Sequence, residues 1–165
     1  MSDDATRQTN FANMSAVLTG FTTDVVNPLF DPLQLVPTYL ATADAKGGAA
    51  LVDTLIQQFL SLTAGGASKQ QIADTMLDTG NPTPGNQALL ARAIVKTWYL
   101  GSWYSSPTDN SPTVVSQNAY IGGLAWKAMQ AHPMGFSDFT FGYWVTPPPS
   151  LADFGVDLPP GGQNA

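Results

Sequence analysis

At 165 residues the chain has the length of one domain with a core of its own, and its net charge of −6, with six Lys and Arg scattered singly, argues against a nucleic acid partner. The absence of cysteine excludes disulfides, thiolate metal sites, iron–sulfur clusters and covalent haem within the chain. Charged residues make up 11%, against roughly 25% in a typical soluble domain, so the surface must be built from Thr, Ser, Asn and Gln and resists association poorly, as suits a subunit.

The start, MSDDATRQTN, lacks the basic and apolar regions of an export signal, and no run of about 18 residues is apolar enough to span a bilayer. Phe11, Met14, Val17, Leu18 and Phe21 then follow helical spacing, which predicts a helix over 6–19 with Gly20 as its stop. Pro28, Pro32 and Pro37 lie too close together for a long helix, so 27–37 is expected to wrap in short turns, with Pro37 opening a helix to Ala45. Gly47 and Gly48 read as a break. Leu51, Val52, Leu55, Ile56, Phe59, Leu60 and Leu62 mark a strongly amphipathic helix that ends at Gly65 and Gly66. Ser68 is placed to cap a helix over 69–78, with Ile72, Met76 and Leu77 inward and Gly80 as terminator.

After a turn-rich connection over 81–86, the longest helix is predicted over 87–104, with Leu89, Leu90, Ile94, Trp98 and Tyr99 inward and Arg92 and Lys96 on a solvated face. Its end carries Trp98, Tyr99, Trp103 and Tyr104, which either close the core or form a binding surface. A loop over 105–112 and a short extended piece over 113–116 lead to a helix over 118–130, weakened by Gly122 and Gly123. These glycines also permit close backbone packing. From Phe139, aromatics recur at Phe141 and Tyr143 with the period of two that puts side chains on one face of an extended backbone. Trp144, Pro147, Pro148 and Pro149 continue this stiff ribbon, and 150–165 reads as a loose tail. The expected fold is therefore mainly α: a helical domain of five or six helices over 1–131 and an extended aromatic and proline-rich arm over 132–165, packed on that domain or on a partner.

The chemistry-bearing residues are few. His132 is the one histidine and a candidate base, but a His before Pro is more often a turn residue, and Ser137 and Asp138 beside it do not make a triad without a nucleophile elbow. One histidine without cysteine cannot supply the usual zinc set, and neither Asp24 with Asp31 nor Asp74 with Asp78 has the loop spacing of a calcium site. No glycine-rich nucleotide or flavin loop occurs, and Asn13 lies in a glycosylation pattern inside a predicted helix. No catalytic, cofactor-binding or metal residue is therefore assigned.

Residues 11–21 (FANMSAVLTGF), 94–101 (IVKTWYLG) and 120–149, with AYIGGLAWKAM, HPMGF and FGYWVTPPP, resemble the small subunit of bacterial membrane-bound FAD-dependent sugar and polyol dehydrogenase complexes, of the sorbitol, fructose, glucose and gluconate types. The resemblance runs over most of the chain in one order. It implies a non-catalytic, periplasmic partner, attached to the inner membrane through other subunits. The FAD sits in a large catalytic subunit of the glucose-methanol-choline oxidoreductase type, and haem c in a multihaem cytochrome c subunit. The small subunit would act as a chaperone for flavin incorporation and twin-arginine export. The family's twin-arginine signal is absent from this sequence, which reads as a mature or trimmed form. The cysteine that links some relatives to the large subunit is also absent, so the association is expected to be noncovalent. The interface would use Phe136, Phe139, Phe141, Tyr143, Trp144, Pro147 and Pro148, with Trp98, Tyr99 and Trp103 from the helical domain. The alternative is a carbohydrate-binding module stacking Tyr143, Trp144 and Trp103 on sugar rings.

Overall fold

The central element is the first helix, α1 (Ser2–Thr19), whose second half is apolar on nearly every side: Phe11, Ala12, Met14, Ala16 and Leu18 are all buried, together with Ser15 and Thr19. A helix buried all round must be enclosed by others. It packs against α2 (Thr23–Val26), α3 (Leu35–Ala43), α4 (Ala49–Ala64), α5 (Lys69–Leu77) and α6 (Asn86–Leu100). This arrangement comes from a computed structural model that describes residues 2–106, 108–136, 145, 147 and 150–156. The chain is mainly helical, as its composition and spacing predict, with one two-stranded antiparallel sheet among the described residues.

Local chemistry sets where each helix begins and ends. The turn before α3 is tied by the Asp31 carboxylate, which accepts backbone N–H bonds from Leu33, Gln34 and Leu35 at 3.1, 2.8 and 3.1 Å. Those donors have no intrahelical partner, so the aspartate fixes the start of α3. Pro37 lies within the first turn rather than opening the helix, where its missing N–H is tolerated. Ser68 caps α5 as expected, and the structure adds the reciprocal half of a capping box: Gln71 N donates to Ser68 Oγ at 3.3 Å and Ser68 N donates to Gln71 Oε1 at 2.9 Å. That helix ends at Asp78, which adopts the left-handed conformation (φ 50°), not at Gly80.

Two glycine pairs behave differently from one another. Gly47 stays helical, within a π-helical turn (Asp44–Gly48) that follows α3. The break falls at Gly48 alone, whose backbone (φ 91°, ψ 122°) leaves helical geometry just before α4. The turn is braced by Arg7 of α1, which holds Asp44 with two hydrogen bonds of 2.8 Å and Asp53 with a third of 2.7 Å. These bonds, above all the one to Asp44, raise the guanidinium pKa further above its already high value. Gly122 and Gly123, in contrast, divide the expected helix over 118–130 into α7 (Gln117–Ile121) and α8 (Leu124–Ala128). The division serves close approach: a Cβ on Gly123 would stand 2.8 Å from the Tyr99 carbonyl oxygen.

α6 stops at Gly101 and not at 104, because Gly101 turns left-handed and sends Ser102–Trp103 into strand β1. β1 pairs antiparallel with β2 (Thr113–Val114), Ser102 facing Val114 and Trp103 facing Thr113. Part of the arm returns to the domain. Residues 150–156 form an ordered turn rather than a loose tail: Thr22 N donates to Gly155 O at 2.9 Å, and Phe21 pairs with Val156. The core joins α1 and α3–α6 to β1, α7 and α8, with Trp98, Tyr39, Phe11 and Met14 its largest fully buried side chains.

Candidate interaction surface and cationic cleft

The aromatic residues singled out in the sequence separate into three groups. Trp98 and Trp103, 1% and 6% exposed, belong to the core. Trp98 meets Tyr39 edge to face, with ring centroids 4.6 Å apart, a pairing worth about 1 kcal/mol beyond area burial. Trp98 is enclosed and Trp103 keeps only a small exposed part, so of the two roles open to the cluster these residues mainly take core closure. Tyr99 is half-buried: its hydroxyl donates to Thr19 O at 2.8 Å, and its ring meets Phe21. Burial raises its pKa.

Phe136 and Pro147 are exposed. Phe136 rests an edge on Tyr120, 6.4 Å between centroids, and Tyr120 in turn meets Trp126 at 5.4 Å, while Trp126 Nε1 donates to Tyr120 O at 2.8 Å. The base of the arm is thereby tied to α7 and α8. Phe139, Phe141, Tyr143, Trp144 and Pro148 lie outside the described residues, as do Ser137 and Asp138. His132 is half-buried, its Nδ1 3.1 Å from the Pro133 carbonyl oxygen.

Other large apolar side chains are exposed as well: Leu29 and Phe30 fully or largely so, and Met129 and Met134. Several of the elements next to them in sequence are in contact. Asn118 Nδ2 donates to Leu33 O at 3.3 Å, Gly122 lies against Leu33 and Leu35, Lys127 of α8 stands 6.0 Å above the Phe154 ring, and the turn containing Phe154 pairs with Phe21 and Thr22. Sequence reasoning missed Leu29, Phe30, Met129 and Met134 because they lie in turns, where no periodicity marks a face. Apolar residues trapped between Pro28 and Pro32 were the available sign.

A second feature lies beside α6. A cleft of about 760 Å³ opens between the π-helical turn, α6 and the segment after β1, with Lys46, Arg92, Lys96, Leu51, Leu89 and Tyr104 in its lining. Arg92 does not extend into solvent as its spacing suggests. Its Nε and Nη2 donate to the carbonyls of Leu77 and Asp78 at 2.8 and 2.7 Å, satisfying the exposed acceptors at the C-terminus of α5. Lys96 places its ammonium 3.9 Å from the centre of the Tyr104 ring. Asp109 accepts from Ser105 N and Ser111 N, each at 2.8 Å; these bonds, with the nearby charge of Lys96, hold its carboxyl below the usual range.

Among the described residues no three His, Cys, Asp or Glu side chains are grouped to hold a metal, and no helix is long and apolar enough to cross a membrane. Comparison with known proteins found no matching family model, no similar curated protein and no similar solved structure.

Proposed function

We propose that this chain is a non-catalytic small subunit that docks on a larger FAD-containing dehydrogenase of sugars or polyols and assists its flavin incorporation and export. The partner is a flavoprotein of the glucose-methanol-choline type, in a periplasmic, inner-membrane-associated complex whose multihaem cytochrome c subunit removes the electrons. The resemblance of residues 11–21, 94–101 and 120–149 names the partner. The structural observation that supports a docking role is the exposure of five large apolar side chains, Leu29, Phe30, Met129, Met134 and Phe136. A chain with so few charges gains little by leaving such a group in water, and its burial against a partner contributes about 25 cal/mol per Å² of apolar area.

The test is to produce the catalytic flavoprotein with and without this chain and to measure bound flavin and dehydrogenase activity. Co-purification with a higher flavin content in the presence of this chain is expected. Equal flavin content and equal activity in the two preparations would remove the reading.

A further inference from the structure

The chain has six Lys and Arg against twelve Asp, yet three of the six, Lys46, Arg92 and Lys96, line the cleft beside α6, and among the described residues no carboxylate lines it. Three different devices hold these cations in place. Lys46 rides on the π-helical turn, a distortion often found at functional sites. Arg92 is fixed by the carbonyls of Leu77 and Asp78 through Nε and Nη2, so its Nη1 is not used in those bonds. Lys96 is steered over Tyr104. The carboxylate nearest in effect is Asp109, whose oxygens are already engaged by the Ser105 and Ser111 amides.

Between the cations the wall is apolar, supplied by Leu51, Leu89, Leu90 and Ala93, with Trp103 and Tyr104 at one side. An inorganic anion would satisfy the charges and leave this wall wet. A neutral hydrophobe would cover the wall and leave the charges uncompensated. The volume falls among those of small-molecule sites, roughly 300–1,000 Å³. We propose that the cleft binds a small organic anion, a carboxylate or phosphate monoester carried on a flat apolar body, with Lys46, Lys96 and the Arg92 Nη1 around the anionic group and the leucines against the body. This site shares no residue with the exposed apolar set Leu29, Phe30, Met129, Met134 and Phe136, and its existence does not depend on the subunit role.

Calorimetric titration of the full chain with 1-naphthyl phosphate, 1-naphthol and inorganic phosphate tests it. Naphthyl phosphate should bind saturably and at least about tenfold more tightly than either fragment, with affinity falling as salt is raised. Lys46→Gln and Lys96→Gln, both at solvent-accessible side chains, should each weaken it by about tenfold, and their melting temperatures report that the fold is intact. No saturable binding at millimolar ligand would overturn the proposal. Equal affinity for naphthol, equal affinity for phosphate, or undiminished binding by a folded Lys46→Gln, Lys96→Gln double variant would overturn it as well.

Discussion

Gly101 shows how much of the fold rests on single positions. Its φ of 64° ends α6, and a Cβ placed there would overlap the Ala119 carbonyl oxygen and crowd the Tyr120 nitrogen. Both neighbours are backbone atoms of α7, which cannot swing aside as a side chain does. Gly101→Ala should therefore destabilise by about 2–4 kcal/mol, combining left-handed strain with displacement of α7. Urea unfolding would show it, and a loss below about 1 kcal/mol would mean that α7 moves freely. Gly47 provides the contrast. An alanine Cβ there meets the end of the Leu90 side chain, which can change rotamer, and its φ is not in the left-handed region. The helix-propensity gain of about 1 kcal/mol over glycine offsets that repacking, so Gly47→Ala should change stability by less than about 1 kcal/mol in the same assay.

At the level of elements, the parts legible in the sequence were those whose own residues determine them. α4 shows its core face by spacing, and α5 carries its start in Ser68, to which the structure adds Gln71. Ser68→Ala should cost about 1 kcal/mol, and Ser68→Gly only a few tenths, since glycine also suits the position; thermal unfolding of the two variants compares them. The π-helical turn was not legible, because Gly47 beside Gly48 reads as part of one break, although only Gly48, at φ 91°, leaves helical geometry. The turn persists because Arg7, some 37 residues away, grips Asp44 with two hydrogen bonds and Gly47 fits against Leu90. Arg92 misleads for the same reason. Its spacing from Lys96 describes a helix face, whereas its partners, the carbonyls ending α5, are set by how two helices meet. The cleft inherits this difficulty, being assembled from the π-helical turn, one wall of α6 and the segment after β1. Among the exposed apolar residues, Phe136 belongs to the aromatic run the sequence announces, whereas Leu29 and Phe30 lie in a proline-bounded turn that no periodicity marks.

Across the whole molecule, the long-range tie most sensitive to conditions is Tyr39. Its phenol is buried, donates to Ala119 O at 3.2 Å and meets Trp98, so α3, α6 and α7 converge on one ring. Desolvation raises its pKa well above the ordinary phenol value of about 10. In the folded chain Tyr39 therefore keeps its proton at a pH where the unfolded chain has released it. The associated stability is fully present below about pH 10 and is lost as pH rises toward the folded pKa, by up to about 1.4 kcal/mol per pH unit for a single group. Tyr99, half-buried and shifted in the same direction, adds a smaller part. Lysine deprotonation and the growing net negative charge also act in this range, so an alkaline decline alone would not identify the phenol. Tyr39→Phe isolates it. Near pH 8 the variant should be less stable than the parent by about 1 kcal/mol, the worth of the lost hydrogen bond to Ala119. Because phenylalanine has no proton to lose, its stability should then fall less steeply above pH 10, and the two urea midpoints should converge between pH 10 and 11. Parallel decline of parent and variant would show that Tyr39 ionises as readily in the folded chain as in the unfolded one, which its burial between α3, α6 and α7 does not allow.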